Sequence, residues 1–172
     1  MNLIEELKNY CDINNPVGAL MLSGEWGCGK TYLIKTKFIP SVKDTYVFVC
    51  ISLFGIDSLD KLRVEVKKKW LEKASEFDSL NGTKVSRVAD SCRRIFDTIK
   101  DRLPENWQKK GEVVSSIMDL INFMPISNRM FEKKVILVFD DLERTNISCT
   151  DLLGCINDYC ENQGFNTIIV AK

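Results

Sequence analysis

The length and composition of the chain fit one folded domain. Of its 172 residues, 45% are hydrophobic and 28% are charged, so the chain can bury a core and does not have the composition of a disordered segment. The 24 basic and 24 acidic residues give a net charge of zero, which argues against nucleic acid or an anionic membrane as a partner. The sequence contains no histidine, which excludes His-based metal sites and Ser-His-Asp triads.

The cysteines and the N-terminus indicate a cytoplasmic protein. Seven cysteines are present and none forms a CxxC pair, so we expect reduced thiols rather than a disulfide framework or a Cys-only zinc site. Glu5 and Glu6 lie where a signal peptide has basic residues. No apolar run approaches the roughly 20 residues that cross a bilayer, so we expect no membrane span.

The first 57 residues are predicted to alternate between helix and strand. Leu3, Leu7 and Tyr10 are spaced as on one face of a short opening helix. Two short apolar runs follow, and such runs are typical of buried strands in a parallel sheet. The predicted elements are a strand over 17–23, a helix over 30–38 that ends before Pro40, and a strand over 45–53.

Residues 58–130 are predicted to be a helical block inserted into this α/β frame. Leu62, Val66 and Trp70 are among the apolar residues that recur at steps of three or four in its first helix. Similar spacings predict two more helices over 85–103 and 113–124. We interpret the basic residues of the block as a solvated helix face, because the net charge is zero.

The last third of the chain returns to the strand and helix pattern. A buried strand over 135–139 ends at Asp140 and Asp141. Ser148 is placed as the N-cap of a helix, and a final strand covers 167–170. We therefore predict one domain over 1–172 with an α/β core of residues 16–57 and 133–172.

A phosphate-binding loop is the strongest motif in the sequence. Residues 24–31, GEWGCGKT, match G-x-x-x-x-G-K-[ST] and lie between a predicted strand and a predicted helix. Glycines let successive backbone N–H groups turn toward phosphate oxygens, and a helix N-terminus favours an anion. We expect Lys30 to reach the β- and γ-phosphates and so to serve catalysis, and Thr31 to bind Mg²⁺. The residues predicted to contact the nucleotide are Gly24, Glu25, Trp26, Gly27, Cys28, Gly29, Lys30, Thr31 and Tyr32.

A pair of acidic residues forms the second motif. Asp140 ends a buried strand, and the carboxyl edge of a parallel sheet is where ligands bind in α/β proteins. We expect Asp140 to hold Mg²⁺, and Asp141 to orient or deprotonate the attacking water. Glu143 is a second candidate for the base. The alternative to both roles is an acidic turn with Asp as a helix cap.

The two motifs together resemble the KAP family of P-loop NTPases, within the STAND class. The residues that carry the resemblance are GEWGCGKT at 24–31, with its loop tryptophan Trp26, and FDDLER at 139–144, with Arg144 matching a family arginine of open role. Residues 51–55, ISLFG, also resemble segments of bacterial members. The resemblance covers roughly 16–55 and 133–172. It implies an α/β, three-layer P-loop fold with a mostly parallel sheet and an inserted helical subdomain.

The resemblance also implies an activity. Family membership would make the chain an ATPase that binds ATP with Mg²⁺ and uses slow hydrolysis as a conformational switch in signalling or bacterial antiviral defence. Its partners would be nucleotide, further copies of the chain or a downstream effector domain. Many relatives carry membrane helices between the two motifs, whereas this region is charged here. The family continues with a sensor residue and a lid, so we expect this chain to be the N-terminal part of the NTPase domain.

Three other functions remain open from the sequence. A non-catalytic scaffold would hold nucleotide only for assembly. A small-molecule kinase would share the phosphate loop but usually has an Arg-rich lid, and the only Arg pair is Arg93-Arg94. A nucleic-acid remodeller would require stimulation by DNA or RNA. No N-K-x-D guanine motif occurs, which favours ATP over GTP.

Overall fold

The structure, a computed structural model, describes residues 2–81 and 126–172. Residues 1–62 and 127–172 belong to one compact unit, which contains the sheet described below. A second unit spans residues 63–126, of which the structure describes 63–81 and 126. In the part of the chain that is described, no helix combines the length and the apolar character that a membrane span requires. The helices predicted over 85–103 and 113–124 lie outside the described residues.

A mostly parallel sheet organises the first unit. Its four main strands are parallel and run in the order β1-β5-β4-β2, and the short β3 pairs antiparallel with β4. The strands are β1 (Leu20–Ser23), β2 (Tyr46–Ser52), β3 (Arg129–Met130), β4 (Lys133–Asp140) and β5 (Asn166–Ala171). Together with its helices, the sheet confirms the predicted α/β P-loop architecture. The two-residue strand β3 was not predicted from the sequence.

The described residues form four helices, and a side chain caps the N-terminus of two of them, one at the predicted Ser148. The Asn2 side chain accepts from the Ile4 N–H at the start of α1, and the Ser148 side chain accepts from the Asp151 N–H at the start of α4. The helices are α1 (Leu3–Asp12), α2 (the continuous segments Lys30–Tyr32, Leu33–Phe38 and Ile39–Val42), α3 (Leu59–Asn81) and α4 (Cys149–Glu161). A 3₁₀ turn, Leu142–Arg144, follows β4.

The core lies on both faces of the central strands β4 and β5. The side chains of 135–139 and 168–170 are all buried, as expected for strands with neighbours on each side and helices above and below. On one face, Leu7 of α1 and Phe38 of α2 pack into the cluster that contains Val138. This rigid centre fixes where the strand ends lie, and therefore where Asp140 lies.

Strand β1 is shorter and more exposed than the sequence predicts. It begins at Leu20 rather than at Val17, which is 84% exposed, and Met21 is 48% exposed. Among the described strands β1 is at the edge of the sheet, so only alternate side chains face the core. Before β1, the Gly18 carbonyl accepts a hydrogen bond from the Tyr10 hydroxyl at 2.9 Å. Burial raises the pKa of Tyr10 to about 12, consistent with this enclosed position.

Helix α2 does not end before Pro40, contrary to the prediction. Its middle segment, Leu33–Phe38, is π-helical, and the Ile39 N–H bonds to the Ile34 carbonyl five residues earlier. Pro40 then lies at the start of the α-helical segment Ile39–Val42, where a residue without an N–H is tolerated. Because of this wider turn, the helix continues beyond Pro40 instead of ending before it.

Helix α3 confirms the first predicted helix of the insert. Leu62, Val66 and Ala74 of the predicted apolar face are buried, and Trp70 is partly exposed. The basic residues Lys61, Lys68 and Lys73 pair with acidic residues three or four positions away. These pairs agree with the interpretation of the charges as a solvated face.

The register of the sheet brings several polar residues to one edge. Ser52 pairs with Asp140 and Ser23 pairs with Ala171, each at the carboxyl end of its strand. Because the four strands are parallel, the loop that follows β1 and the turn that follows β4 emerge from the same edge.

Candidate functional site

The loop after β1 has the backbone conformation that its glycines allow. Gly27 and Gly29 have φ values of 76° and 89°, in the left-handed region that other residues adopt at a cost. Gly29 caps α2, and the Leu33 N–H bonds to its carbonyl at 2.8 Å. The sequence folds this way locally because glycine alone takes these two conformations without strain.

Lys30 folds back onto the loop from which it emerges. Its Nζ donates to the carbonyls of Gly24 and Glu25, the latter at 2.9 Å, and lies 3.7 Å from the Cys28 sulfur. A Cβ at Gly24 would lie 3.2 Å from the Cys28 sulfur, so the loop closes tightly at this point. Three residues predicted to contact the nucleotide therefore surround the lysine ammonium.

Thr31 and Asp140 meet although 109 residues separate them in the sequence. The Thr31 hydroxyl donates to Asp140 Oδ1 at 3.0 Å. Asp140 is only 6% exposed, its Oδ1 also accepts from the Asp141 N–H, and its Oδ2 lies 3.1 Å from Lys35 Nζ. A hydroxyl and a carboxylate side by side form an oxygen donor set that suits Mg²⁺.

Asp141 points to a different set of partners from Asp140. Its backbone is left-handed, with φ 63°, and the Ser52 hydroxyl donates to its Oδ2 at 3.1 Å. Arg144 Nε lies 3.7 Å from its Oδ1. Its side chain is 35% exposed, so water can reach the carboxylate. The left-handed backbone turns the second acid of the pair away from the first.

Glu143 is tied to the phosphate loop across the cleft. The Trp26 indole N–H donates to Glu143 Oε1 at 3.0 Å, and the Lys172 N–H donates to Oε2 at 3.3 Å. Its own backbone N–H and the Trp26 indole stabilise the carboxylate, which lowers the pKa of Glu143. The Arg144 guanidinium lies 4.5 Å from the centre of the Trp26 ring and 5.5 Å from that of Phe54.

These residues surround an open cleft of about 250 Å³ at the edge of the sheet. Its lining includes both predicted motifs and two residues of β5, namely Trp26, Gly27, Gly29, Lys30, Thr31, Tyr32, Asp140, Asp141, Glu143, Arg144, Val170 and Ala171. Gly24, Glu25 and Cys28 are not among the lining residues and instead contact Lys30. The structure therefore brings the predicted catalytic and metal residues together in one cleft.

Two residues beside the acids were not predicted from the sequence. Lys35 follows Thr31 by one helical turn, and this spacing could have placed it near Thr31. Ser52 ends the strand next to β4, and the register of parallel strands could have placed it beside Asp140. Among the described residues, no group of three or more His, Cys, Asp or Glu side chains could hold a metal ion.

Comparison with known proteins assigns the chain to a family. A family model described as the KAP family P-loop domain matches residues 2–172. The match is wider than the two segments that carried the resemblance, since it includes the helical block between them. A search of curated proteins gave no significant match. The match covers nearly the whole chain and agrees with the phosphate loop and the parallel sheet, and the chain therefore belongs to the KAP family of P-loop domains.

Proposed function

We propose that the cleft binds ATP with Mg²⁺ and that the chain hydrolyses the nucleotide to ADP and phosphate as a conformational switch. The observation that carries the proposal is the 3.0 Å contact between Thr31 and Asp140, beside Lys30 at the end of a glycine-bearing loop. Family membership supports a nucleotide-binding NTPase. The choice of ATP rests on the lack of a guanine motif in the sequence.

The phosphate loop would hold the nucleotide through its backbone and one lysine. Left-handed Gly27 and Gly29 lie directly before α2, and backbone N–H groups in such a loop can bind phosphate oxygens. Lys30 Nζ is held by neutral carbonyl oxygens of Gly24 and Glu25. Phosphate oxygens carry a full negative charge and are stronger acceptors, so the ammonium would transfer to them.

Thr31 and Asp140 would hold the Mg²⁺ ion, which neutralises phosphate charge when bound. The buried Asp140 is fixed by the central strand β4, and Thr31 is fixed by the first turn of α2. Their oxygens therefore have little freedom to reorganise. Such pre-organisation supports a role in which position and charge do most of the catalytic work.

Asp141 would position and deprotonate the attacking water. Ser52 holds its Oδ2 and Arg144 lies near its Oδ1, while about a third of the side chain remains exposed. A carboxylate that is held by a neighbouring side chain and open to water is suited to act as a general base. Glu143 is the second candidate for the base, because it lines the same cleft, and its bond to Trp26 would have to break first.

A nucleotide-binding scaffold is the second candidate function. The Trp26 indole already occupies Glu143 Oε1. If Glu143 is the base and keeps this contact with nucleotide bound, the chain would bind nucleotide without hydrolysis. The wider roles that we propose, signalling or antiviral defence by oligomers or through an effector, rest on the family resemblance.

The binding proposal is tested with a fluorescent ATP analogue on Lys30→Ala and the control Lys37→Ala. Lys37 is exposed on the same helix and carries the same charge. We expect Lys30→Ala to lower affinity by roughly 10- to 100-fold, since a hydrogen bond to a charged group contributes about 1.5–3 kcal/mol. Lys37→Ala should bind like wild type. Equal affinity for both variants would overturn the assignment of the loop.

The hydrolysis proposal is tested by phosphate release from wild type, Asp141→Asn and Glu143→Gln. Hydrolysis through Asp141 predicts that Asp141→Asn loses release while its nucleotide affinity is retained. Loss in Glu143→Gln alone would reassign the base. Equal rates near background in all three proteins would instead support the scaffold.

A further inference from the structure

The counter-charge of the buried acid comes from Lys35, which the function proposed above does not use. Asp140 has 8% of its side chain exposed, and Lys35 Nζ lies 3.1 Å from its Oδ2. A buried carboxylate is costly unless it is paired or hydrogen-bonded. The Thr31 hydroxyl and the Asp141 N–H occupy Oδ1, so Lys35 supplies the positive charge on the other oxygen.

The two ends of this ion pair differ in their freedom to move. The Lys35 side chain is 50% exposed and extends from the π-helical segment of α2, so its ammonium can move into water at little cost. Asp140 belongs to the buried strand β4 and cannot follow it. When Lys35 moves away, Asp140 Oδ2 therefore loses this partner but keeps its position.

We propose that Lys35 is a tethered cation that competes with the divalent ion for Asp140 and so sets the metal affinity of the site. This inference rests on the proposed function, in which Asp140 and Thr31 bind Mg²⁺. A divalent ion beside Oδ2 and the Lys35 ammonium would repel each other at a few ångströms. A metal ion can therefore bind Asp140 only after the Lys35 ammonium has moved away. When nucleotide binds without metal, Lys35 stays beside Asp140 and balances its charge.

The competition between Lys35 and the metal ion also predicts when the site binds metal. The site would take up a divalent ion only when the gain exceeds the loss of the lysine contact. That condition favours arrival of metal together with nucleotide phosphates, which supply further ligands, over binding of the metal alone. Lys35 would thus act as a positioning and specificity residue, without contact to the reacting atoms.

The test measures binding of Mn²⁺ alone, as a probe for Mg²⁺, by the loss of the free-ion electron paramagnetic resonance signal. Variants Lys35→Met and Lys35→Gln remove the charge, Lys35→Arg keeps it, and Lys37→Met removes a charge two residues away on the same helix. We expect about 3- to 10-fold tighter Mn²⁺ binding by the two neutral Lys35 variants. Lys35→Arg and Lys37→Met should bind like wild type. Far-UV circular dichroism checks that each variant is folded. If one of the two neutral variants does not fold, the other still provides the test.

The outcomes separate this inference from the function on which it rests. Unchanged or weaker Mn²⁺ binding by both neutral Lys35 variants, with binding lost in Asp140→Asn, would overturn the competition but keep the metal site. Equal tightening by Lys37→Met would show a general charge effect and also overturn it. Binding that is indifferent to Asp140→Asn would overturn the metal role of Asp140 and the inference with it. Binding that stays undetectable in the neutral Lys35 variants as well as in wild type would overturn the competition, because removal of the cation should let the site take up Mn²⁺.

Discussion

The phosphate loop and the acidic strand end differ in where their polar groups find partners. In the loop, Lys30 is held by carbonyls five and six residues away in the sequence. At the strand end, Asp140 is held by Thr31 and Glu143 by Trp26, at separations of 109 and 117 residues. The loop is therefore largely a local structure, whereas the acidic end takes its form from the tertiary fold. Substitutions in the two regions should fail in different ways.

Gly29→Ala should have the largest effect, because it strains the local structure directly. At φ 89° an alanine costs about 1–3 kcal/mol, which corresponds to roughly 5- to 150-fold in nucleotide affinity if the loop changes shape. Gly154→Ala in α4 is the matched control, since a Cβ there meets nothing within 4 Å. Titration with a fluorescent nucleotide checks both. Wild-type affinity of Gly29→Ala would show that nucleotide binding does not need the left-handed backbone at this position.

Asp140→Asn should remove the metal dependence of nucleotide binding. We expect affinity with Mg²⁺ to fall by about tenfold toward the metal-free value, since an amide is a weaker metal ligand than a carboxylate. Asp141→Asn should retain the dependence, because its carboxylate turns toward Ser52 rather than Thr31. Calorimetric titrations of both variants with and without Mg²⁺ compare the two acids. Parallel losses would contradict their separate roles.

Ser52→Ala should slow phosphate release without changing nucleotide affinity. It removes the hydrogen bond that holds Asp141 Oδ2, and such a bond is worth about 0.5–1.5 kcal/mol, or roughly 2- to 12-fold in rate. Ser41→Ala, which loses a hydrogen bond to the Phe38 carbonyl on α2, is the control. A phosphate-release assay distinguishes them. An equal change in both would mean that Ser52 does not position Asp141.

Trp26→Phe should have the smallest effect, which is a change in the pKa of Glu143. The indole N–H helps to lower the pKa of Glu143, so its removal should raise that pKa toward the ordinary value. The contact stabilises the fold at pH values above the unfolded-state pKa of Glu143, and this contribution is lost as pH falls through the depressed folded-state pKa. Carboxyl NMR titration of Glu143 in both proteins measures the shift. An unchanged titration would contradict the contact across the cleft.

The extent to which the sequence predicts this structure follows the same division. The motif at 24–31 and the strand that ends at Asp140 were predictable, because their chemistry lies in contiguous residues. The positions of Ser52 and Lys35 beside the acids depend on strand register and helix phase, which a single sequence does not specify. The shortened β1 also depends on its place at the sheet edge rather than on its own apolar run.

The proline in α2 shows how a local rule can give the wrong boundary. Pro40 was interpreted as a helix stop, since it lacks an N–H and clashes with an α-helical carbonyl. The π-helical segment before it changes which carbonyls face that position, and the helix continues to Val42. A rule based on the regular α-helix cannot predict a helix that departs from it.

The π-helical segment of α2 also affects the directions in which the two ends of the helix point. Its first residues line the cleft, whereas Phe38 packs in the hydrophobic core. A helix of uniform pitch would fix the angle between these two directions, and the wide middle segment sets it differently. Because a π-helical turn holds more residues than an α-helical turn, deleting one residue at exposed Thr36 or Lys37 would let the segment wind as regular α-helix while the two ends keep their orientation.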